Sequence, residues 1–201
     1  MPTIRLSTTV SIGGVSISGR TDRTAEGQVG QQVSLAAGKT GTLTTRTDND
    51  TGVATMTAGH GLTTGDKCDV FWATGARYGM AATVATNAVT LDAGGGDNLP
   101  TTSTALVVCK ETVITSVFDG DTALMLAAMS TQRGYVQFQE SDNTVIFATE
   151  LGTANEPFTW VYDQGIANPI TGDPVGQIVV SNASSTTAAT FTVGALLDTV
   201  P

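Results

Sequence analysis

Apolar residues recur along this chain with a period of two, and that period decides what it can fold into. Ile4, Leu6, Thr8, Val10 and Ile12 alternate with polar residues, and Val15 and Ile17 resume the pattern after Gly13-Gly14. Successive side chains of a strand point to opposite faces, so this pattern turns one apolar face to a core. The two glycines supply a turn, and the stretch reads as a hairpin. Further strands are expected at 33–37, 52–58, 68–73, 80–85, 88–92, 104–109, 112–118, 134–139, 144–149, 157–162, 175–181 and 187–195. Thr86-Asn87 reads as a tight hairpin tip, and Glu140-Ser141-Asp142-Asn143 joins another pair. In the strand before that joint, Tyr135, Gln137 and Gln139 face one side, Val136 and Phe138 the other. Only Asp121 to Met129 is ambiguous. It has helix formers behind an N-cap candidate, yet it is short enough for a buried strand, and its neighbours favour strand.

The first strands are too few to form a stable sheet alone. The simplest layout pairs residues 1–39 with 111–201 in one β-sandwich and inserts 40–110 as a small β-barrel. The expected class is therefore all-β, a jelly-roll-like sandwich with an inserted barrel. Two sequential domains split near residue 110 are the rival layout. Residues 18–32 are polar and punctuated by glycine, and read as a long loop or arm. Thr21, Gln28, Gln31 and Gln32 are its candidate contact residues.

Charge narrows the function. Only 13% of the residues are charged, against roughly 25% in ordinary domains. Lysine occurs only at Lys39, Lys67 and Lys110. Strand edges are normally guarded by charge, lysine above all, because unpaired N–H and C=O groups invite another chain. Edges so lightly guarded are expected to be short, bulged or covered by neighbouring subunits, which suits an assembly component and a homo-oligomer. The net charge is -9, and the densest basic cluster is Arg20 and Arg23 around Asp22. A phosphate-binding face needs clustered Lys and Arg, so nucleic acid is not an expected partner. No apolar run approaches the roughly 18 residues of a membrane span. Met1-Pro2-Thr3-Ile4-Arg5 lacks the features of a signal peptide. Folding in the cytoplasm is the expectation, and the sequons at Asn49 and Asn182 then carry no glycan.

Chemistry-bearing motifs are few. Gly38-Lys39-Thr40 invites a phosphate-loop reading, but position 33 is Val where that motif needs glycine, and Gly41-Thr42-Leu43-Thr44-Thr45 favours strand over helix. Asp48-Asn49-Asp50-Thr51-Gly52 begins like a calcium loop, but its twelfth position, 59, is Gly. A turn with self-bonding Asp and Asn side chains accounts for it better. Asp119-Gly120-Asp121 has the same double reading. The only histidine, His60, has no catalytic partner nearby in sequence. Carboxylate pairs such as Asp119 with Asp121, or Glu140 with Asp142, have a glycosidase's residue types but sit where turns favour Asp. Cys68 and Cys109 read as buried free thiols, and a disulfide would require Cα atoms within about 7 Å. Two cysteines and one histidine make no familiar zinc spacing. The expectation is a protein with no catalytic residues, no cofactor and no metal.

Thr57-Ala58-Gly59-His60-Gly61-Leu62-Thr63-Thr64-Gly65-Asp66-Lys67-Cys68-Asp69-Val70 carries a more specific signal. Gly61 and Gly65 permit a tight strand-to-strand corner, and Asp66 can cap the turn. The stretch resembles the "HGL-x-x-GD-x-V-x-V" signature of small β modules related to the FCCH domain of ubiquitin-activating enzymes. Modules of this look recur in bacteriophage virion proteins. The resemblance covers roughly residues 43–108 and has Cys68 where Val is usual. It implies that His60 is structural, bonding backbone within the corner, and that the chain belongs to a virion. On that footing the expected role is an auxiliary capsid protein that decorates or cements the head lattice. Its partners would be the major capsid protein or neighbouring virion subunits, and it would be made in the bacterial host cytoplasm. A tail, baseplate or head-to-tail component is the neighbouring role. A carbohydrate-binding or glycan-hydrolysing protein is the rival from another class, carried by Trp72, Tyr78, Trp160 and Tyr162.

Overall fold

The computed structural model describes residues 6–12, 15–21, 27–96, 99–115, 122–140, 142–152, 158–161 and 176–198. The described residues form strands and connections, with no helix among them. Two compact units divide the chain. One comprises Met1–Leu35, Val113–Val180 and Ala189–Pro201, the other Ala36–Thr112 and Ser181–Ala188. The second unit is therefore inserted into the first, as the two-unit layout expects. Its limits are Ala36 and Thr112 rather than 40 and 110, and it also takes the connection 181–188.

The first unit is a β-sandwich. One sheet has the order β10 (Thr112–Thr115), β15 (Gln177–Asn182), β12 (Gly134–Gln139), β13 (Val145–Leu151). The other runs β14 (Phe158–Val161), β11 (Thr122–Ser130), β16 (Ala189–Asp198), β3 (Gly27–Leu35). Ile114, Val136, Phe138, Ile146, Leu151, Ile178 and Val180 of the first sheet share one core with Leu126, Ala128, Ala189, Phe191 and Val193 of the second. Residues 122–130 are strand, not helix: each residue from Met125 to Ser130 has a partner on β16. The hairpin of β1 (Leu6–Ile12) and β2 (Val15–Thr21) pairs in register from Leu6↔Thr21 to Ile12↔Val15 and lies against the second sheet. On the face of that sheet away from the core, Ala127, Gly194 and Gly30 stand side by side in register. A row of residues this small lets backbone come close.

The loop expected over 18–32 is corrected. Residues up to Thr21 belong to β2 and those from Gly27 belong to β3. β3 pairs with β16 from Gly27↔Leu197 to Leu35↔Ala189. Gln28, Gln31 and Gln32 are therefore strand residues.

The second unit is a closed barrel of six strands, in the order β4 (Lys39–Arg46), β5 (Thr51–Met56), β8 (Ala88–Asp92), β7 (Gly75–Ala85), β6 (Lys67–Trp72), β9 (Ala105–Lys110). Closure removes free sheet edges. Leu43, Ala54, Met56, Leu62, Cys68, Val70, Met80, Ala82, Val89, Leu91, Leu99, Leu106 and Val108 fill the interior. Gly41 and Gly52 keep the wall close-packed. A Cβ at Gly41 would meet Met56 Sδ at 2.4 Å, and one at Gly52 would meet Leu43 Cδ1 at 2.8 Å.

Candidate functional site

The corner after β5 is built on glycine backbone. Gly59, Gly61 and Gly65 have φ of 75°, 75° and 97°, values that side chains disfavour. Asp66 closes the turn by accepting the Thr63 N–H at 2.8 Å, and its own N–H donates to Thr63 O at 3.1 Å. The other Asp66 oxygen meets Lys110 Nζ at 2.7 Å. Burial alone would raise this carboxyl, but the Lys110 and Thr63 contacts prevail and hold it below the usual value.

His60, 8% exposed, is held at both ring nitrogens. Nδ1 accepts the Leu62 N–H at 3.1 Å, and Nε2 lies 2.9 Å from Thr86 O. With Nδ1 accepting, Nε2 carries the proton and donates to that carbonyl. Thr86 begins the two-residue tip between β7 and β8 and has φ of 55°, a strained value for a β-branched residue. The imidazole thus ties the corner to the hairpin tip. Beside it opens a cavity of about 260 Å³, whose lining includes Gly38, Lys39, Thr40, Thr57, His60 and Ser185. Gly38 has a packing role: an added Cβ would sit 2.6 Å from Val107 Cγ1 and 2.7 Å from Cys109 Sγ.

The strongest chemical anomaly is on the outer side of the barrel wall, where β6 and β9 run together. Alternation turns Cys68 and Val70 inward and Asp69 outward, beside Cys109 in the register. Asp69 is nevertheless fully buried. Ser181 Oγ donates to its Oδ2 at 2.5 Å, and the Gly79 N–H donates to Oδ1 at 2.9 Å. Glu111 shares a further hydrogen bond with it. Burial pushes both carboxyls up; for Glu111 the neighbouring Asp69 charge adds to burial and takes it to about 7. Three donors converge on Asp69, so the anion resides there and Glu111 holds the proton the pair shares.

Ser181, the hydroxyl partner of Asp69, and Asn182 end β15 and lead into the rest of the 181–188 segment. Asn182 Nδ2 donates to Ala36 O and Thr187 O, both at 3.0 Å. Cys109 Sγ donates to Asn182 O at 2.7 Å, and Gly38 N to Ser184 O at 2.8 Å. Cys68 and Cys109 are free, and they lie on opposite sides of the wall, so they do not pair. Burial pushes the Cys68 thiol up to about 12 and raises Cys109 as well. Neither thiol has the exposed, electropositive setting of a reactive one.

Sequence reasoning did not single out Asp69, Glu111 or Ser181. One signal was present: Asp69 interrupts an otherwise apolar run from Cys68 to Trp72. Its partners come from β7, the end of β9 and a segment more than a hundred positions later, which no local pattern links.

Other candidates resolve locally. Asp48 Oδ1 accepts the Asp50 and Thr51 N–H groups at 3.1 and 2.7 Å. This is an Asx-type turn. Asp142 Oδ1 accepts the Thr144 N–H at 2.9 Å in the hairpin joint. Among the described residues no group of three or more His, Cys, Asp or Glu is placed to hold a metal. Asp119, Asp121 and Tyr162 lie outside the described residues. The Trp72 ring covers Gly75, where a Cβ would lie 2.8 Å from Cζ2. Tyr78 meets Phe71 edge-on at 5.9 Å.

Of the expected arm residues, Thr21 ends β2 and pairs with Leu6. Gln28, Gln31 and Gln32 stand opposite Leu196, Val193 and Thr192. Gln32 Nε2 lies 3.3 Å from Thr192 Oγ1. Gln31 Oε1 is buried without a hydrogen-bond partner among the described residues. The arm residues and the His60 corner belong to different units. Comparison with models of known protein families, with curated proteins and with solved structures gave no match.

Proposed function

We propose that this chain is a non-enzymatic structural protein of a bacteriophage virion, an auxiliary capsid protein that decorates or cements the head lattice. The observation that carries the reading is β3. Its nine residues, Gly27–Leu35, include no charged residue and no proline, yet among the described strands it is an edge of its sheet. Such an edge suits strand addition by a neighbouring chain, with main-chain bonds supplying the attachment. Val33 and Leu35 are only partly buried against the core. β13, also an edge, has Glu150 as its only charged residue, and that carboxylate is taken up by Arg133. The HGL-x-x-GD corner of the barrel, with its resemblance to virion modules, supplies the context. The engagement of His60, the burial of both thiols and the use of Asp66 in a turn support a scaffold rather than a catalyst. Trp72 over Gly75 and Tyr78 against Phe71 favour the scaffold over a carbohydrate platform.

The test is attachment. The purified protein should be multimeric by mass, or should co-sediment with empty heads of the phage that encodes it. Placing lysine on the edge, Gln32→Lys with Ser34→Lys, should weaken either association while unfolding remains cooperative. A protein that stays monomeric at high concentration and binds no phage structural protein contradicts the proposal.

A further inference from the structure

The Asp69–Glu111 pair lies where the 181–188 connection closes over the barrel wall, and that placement suggests a device independent of the virion reading. We propose that this carboxyl pair is a proton-operated latch: with one shared proton it clamps the 181–188 connection to β6 and β9, and loss of that proton releases the connection.

The geometry supplies each part. Ser181 is the clamp's contact, through its hydroxyl on Asp69. The neighbouring Asn182 extends the hold to Ala36, Thr187 and Cys109. Ser184 continues it, with its carbonyl on the Gly38 N–H and its own N–H on Asn182 Oδ1 at 3.0 Å. In the singly protonated pair, one negative charge is met by the Ser181, Gly79 and Glu111 donors. Removing the proton converts a hydrogen bond into a contact between two carboxylates, Asp69 fully buried and Glu111 partly so, where like charges repel. Separation of the carboxylates then displaces Asp69 from Ser181.

The neighbouring groups do not cancel that charge. From β6 the pair faces Lys67, and from β9 it faces Cys109, while Cys68 stands on the inner side of the wall. β7 faces it with the Gly79 backbone, and the connection faces it with Ser181. Lys67 lowers Glu111 but is also held at Gly79 O, 3.3 Å away. Lys110 is engaged by Asp66. Glu111 has a folded value near 7 against an ordinary 4.5. The native state therefore binds more protons than the unfolded chain across that interval. The latch's contribution is complete below about 4.5 and is lost as the pH rises through 7.

Amide hydrogen exchange, corrected for intrinsic rates, tests this on the whole protein. Between pH 6 and pH 8, protection at Gly38 and across 181–188 should fall about tenfold, while β5 and β8 change little. Glu111→Gln, whose amide can donate to Asp69 without titrating, should remove the pH dependence and stay protected at pH 8. A wild-type protein whose 181–188 protection is the same at both pH values overturns the latch, and that result needs no variant. A Glu111→Gln protein that retains the wild-type pH dependence overturns it as well.

Discussion

Replacing His60 by alanine tests whether the corner is held as the geometry indicates. The imidazole accepts the Leu62 N–H and donates to Thr86 O. Each such bond contributes about 1 kcal/mol net. The loss does not stop there, because Leu62 is itself buried and its N–H would be left without its acceptor. An unsatisfied buried donor raises the cost toward the upper end of about 1–3 kcal/mol. Thr86, held at a φ of 55°, would also be freed to relax, which offsets a few tenths. The expected destabilisation is about 2 kcal/mol. Urea unfolding followed by tryptophan fluorescence and by circular dichroism should show a lower midpoint with an unchanged slope, since the surface exposed on unfolding is the same. A loss below about 0.5 kcal/mol would refute the linkage between corner and hairpin tip. An unchanged stability accompanied by loss of a hydrolytic activity would refute the structural role altogether.

Further outcomes follow from the same contacts. Gly38→Ala places a Cβ against Val107 and Cys109 Sγ and should destabilise by about 1–3 kcal/mol as an overpacking change, measured by the same urea curve. Lys110→Met removes an ion pair whose lysine is 56% exposed, so it should cost under about 1 kcal/mol; Asp66→Ala, which also releases the Thr63 N–H, should cost more. The Asp66 carboxyl is held below its usual value, so its contribution is present above the ordinary carboxylate range and disappears on acidification; the gap between wild type and Asp66→Asn should narrow as the pH falls below about 4. Cys68 and Cys109, both buried with raised thiols, should resist alkylation at pH 8 until the chain is unfolded, and rapid labelling of native protein would contradict their placement.

Strands in this chain were legible where period-two alternation coincided with burial on one face. Val89, Thr90 and Leu91, for example, sit in β8 as the pattern indicates. Turn chemistry was legible too, since Gly61 and Gly65 take positive φ and Thr86-Asn87 connects β7 to β8. β3 was not legible. Only Val29, Val33 and Leu35 are aliphatic in it, and the partner that makes it a strand is β16, with Gln32 meeting Thr192 160 positions away. The pairing is tertiary, and no local propensity anticipates it. Asp121 to Met129 looked ambiguous because helix formers fill a strand that gains its partners from β14 and β16. The Asp69–Glu111 pair was hidden for a similar reason. Alternation turns Asp69 toward solvent, and its hydroxyl partner, Ser181, arrives from the far end of the chain.

The proposed role of the lightly charged sheet edges in assembly is open to a direct test. The most direct measurement is sedimentation of the purified protein alone and with empty phage heads, comparing wild type with the Gln32→Lys, Ser34→Lys protein. Wild type is expected to self-associate or to saturate on the heads, and the double-lysine protein, equally folded by circular dichroism, to lose that association. A wild-type protein that remains monomeric at high concentration and leaves the heads bare would contradict it, as would a double-lysine protein that assembles as well as wild type.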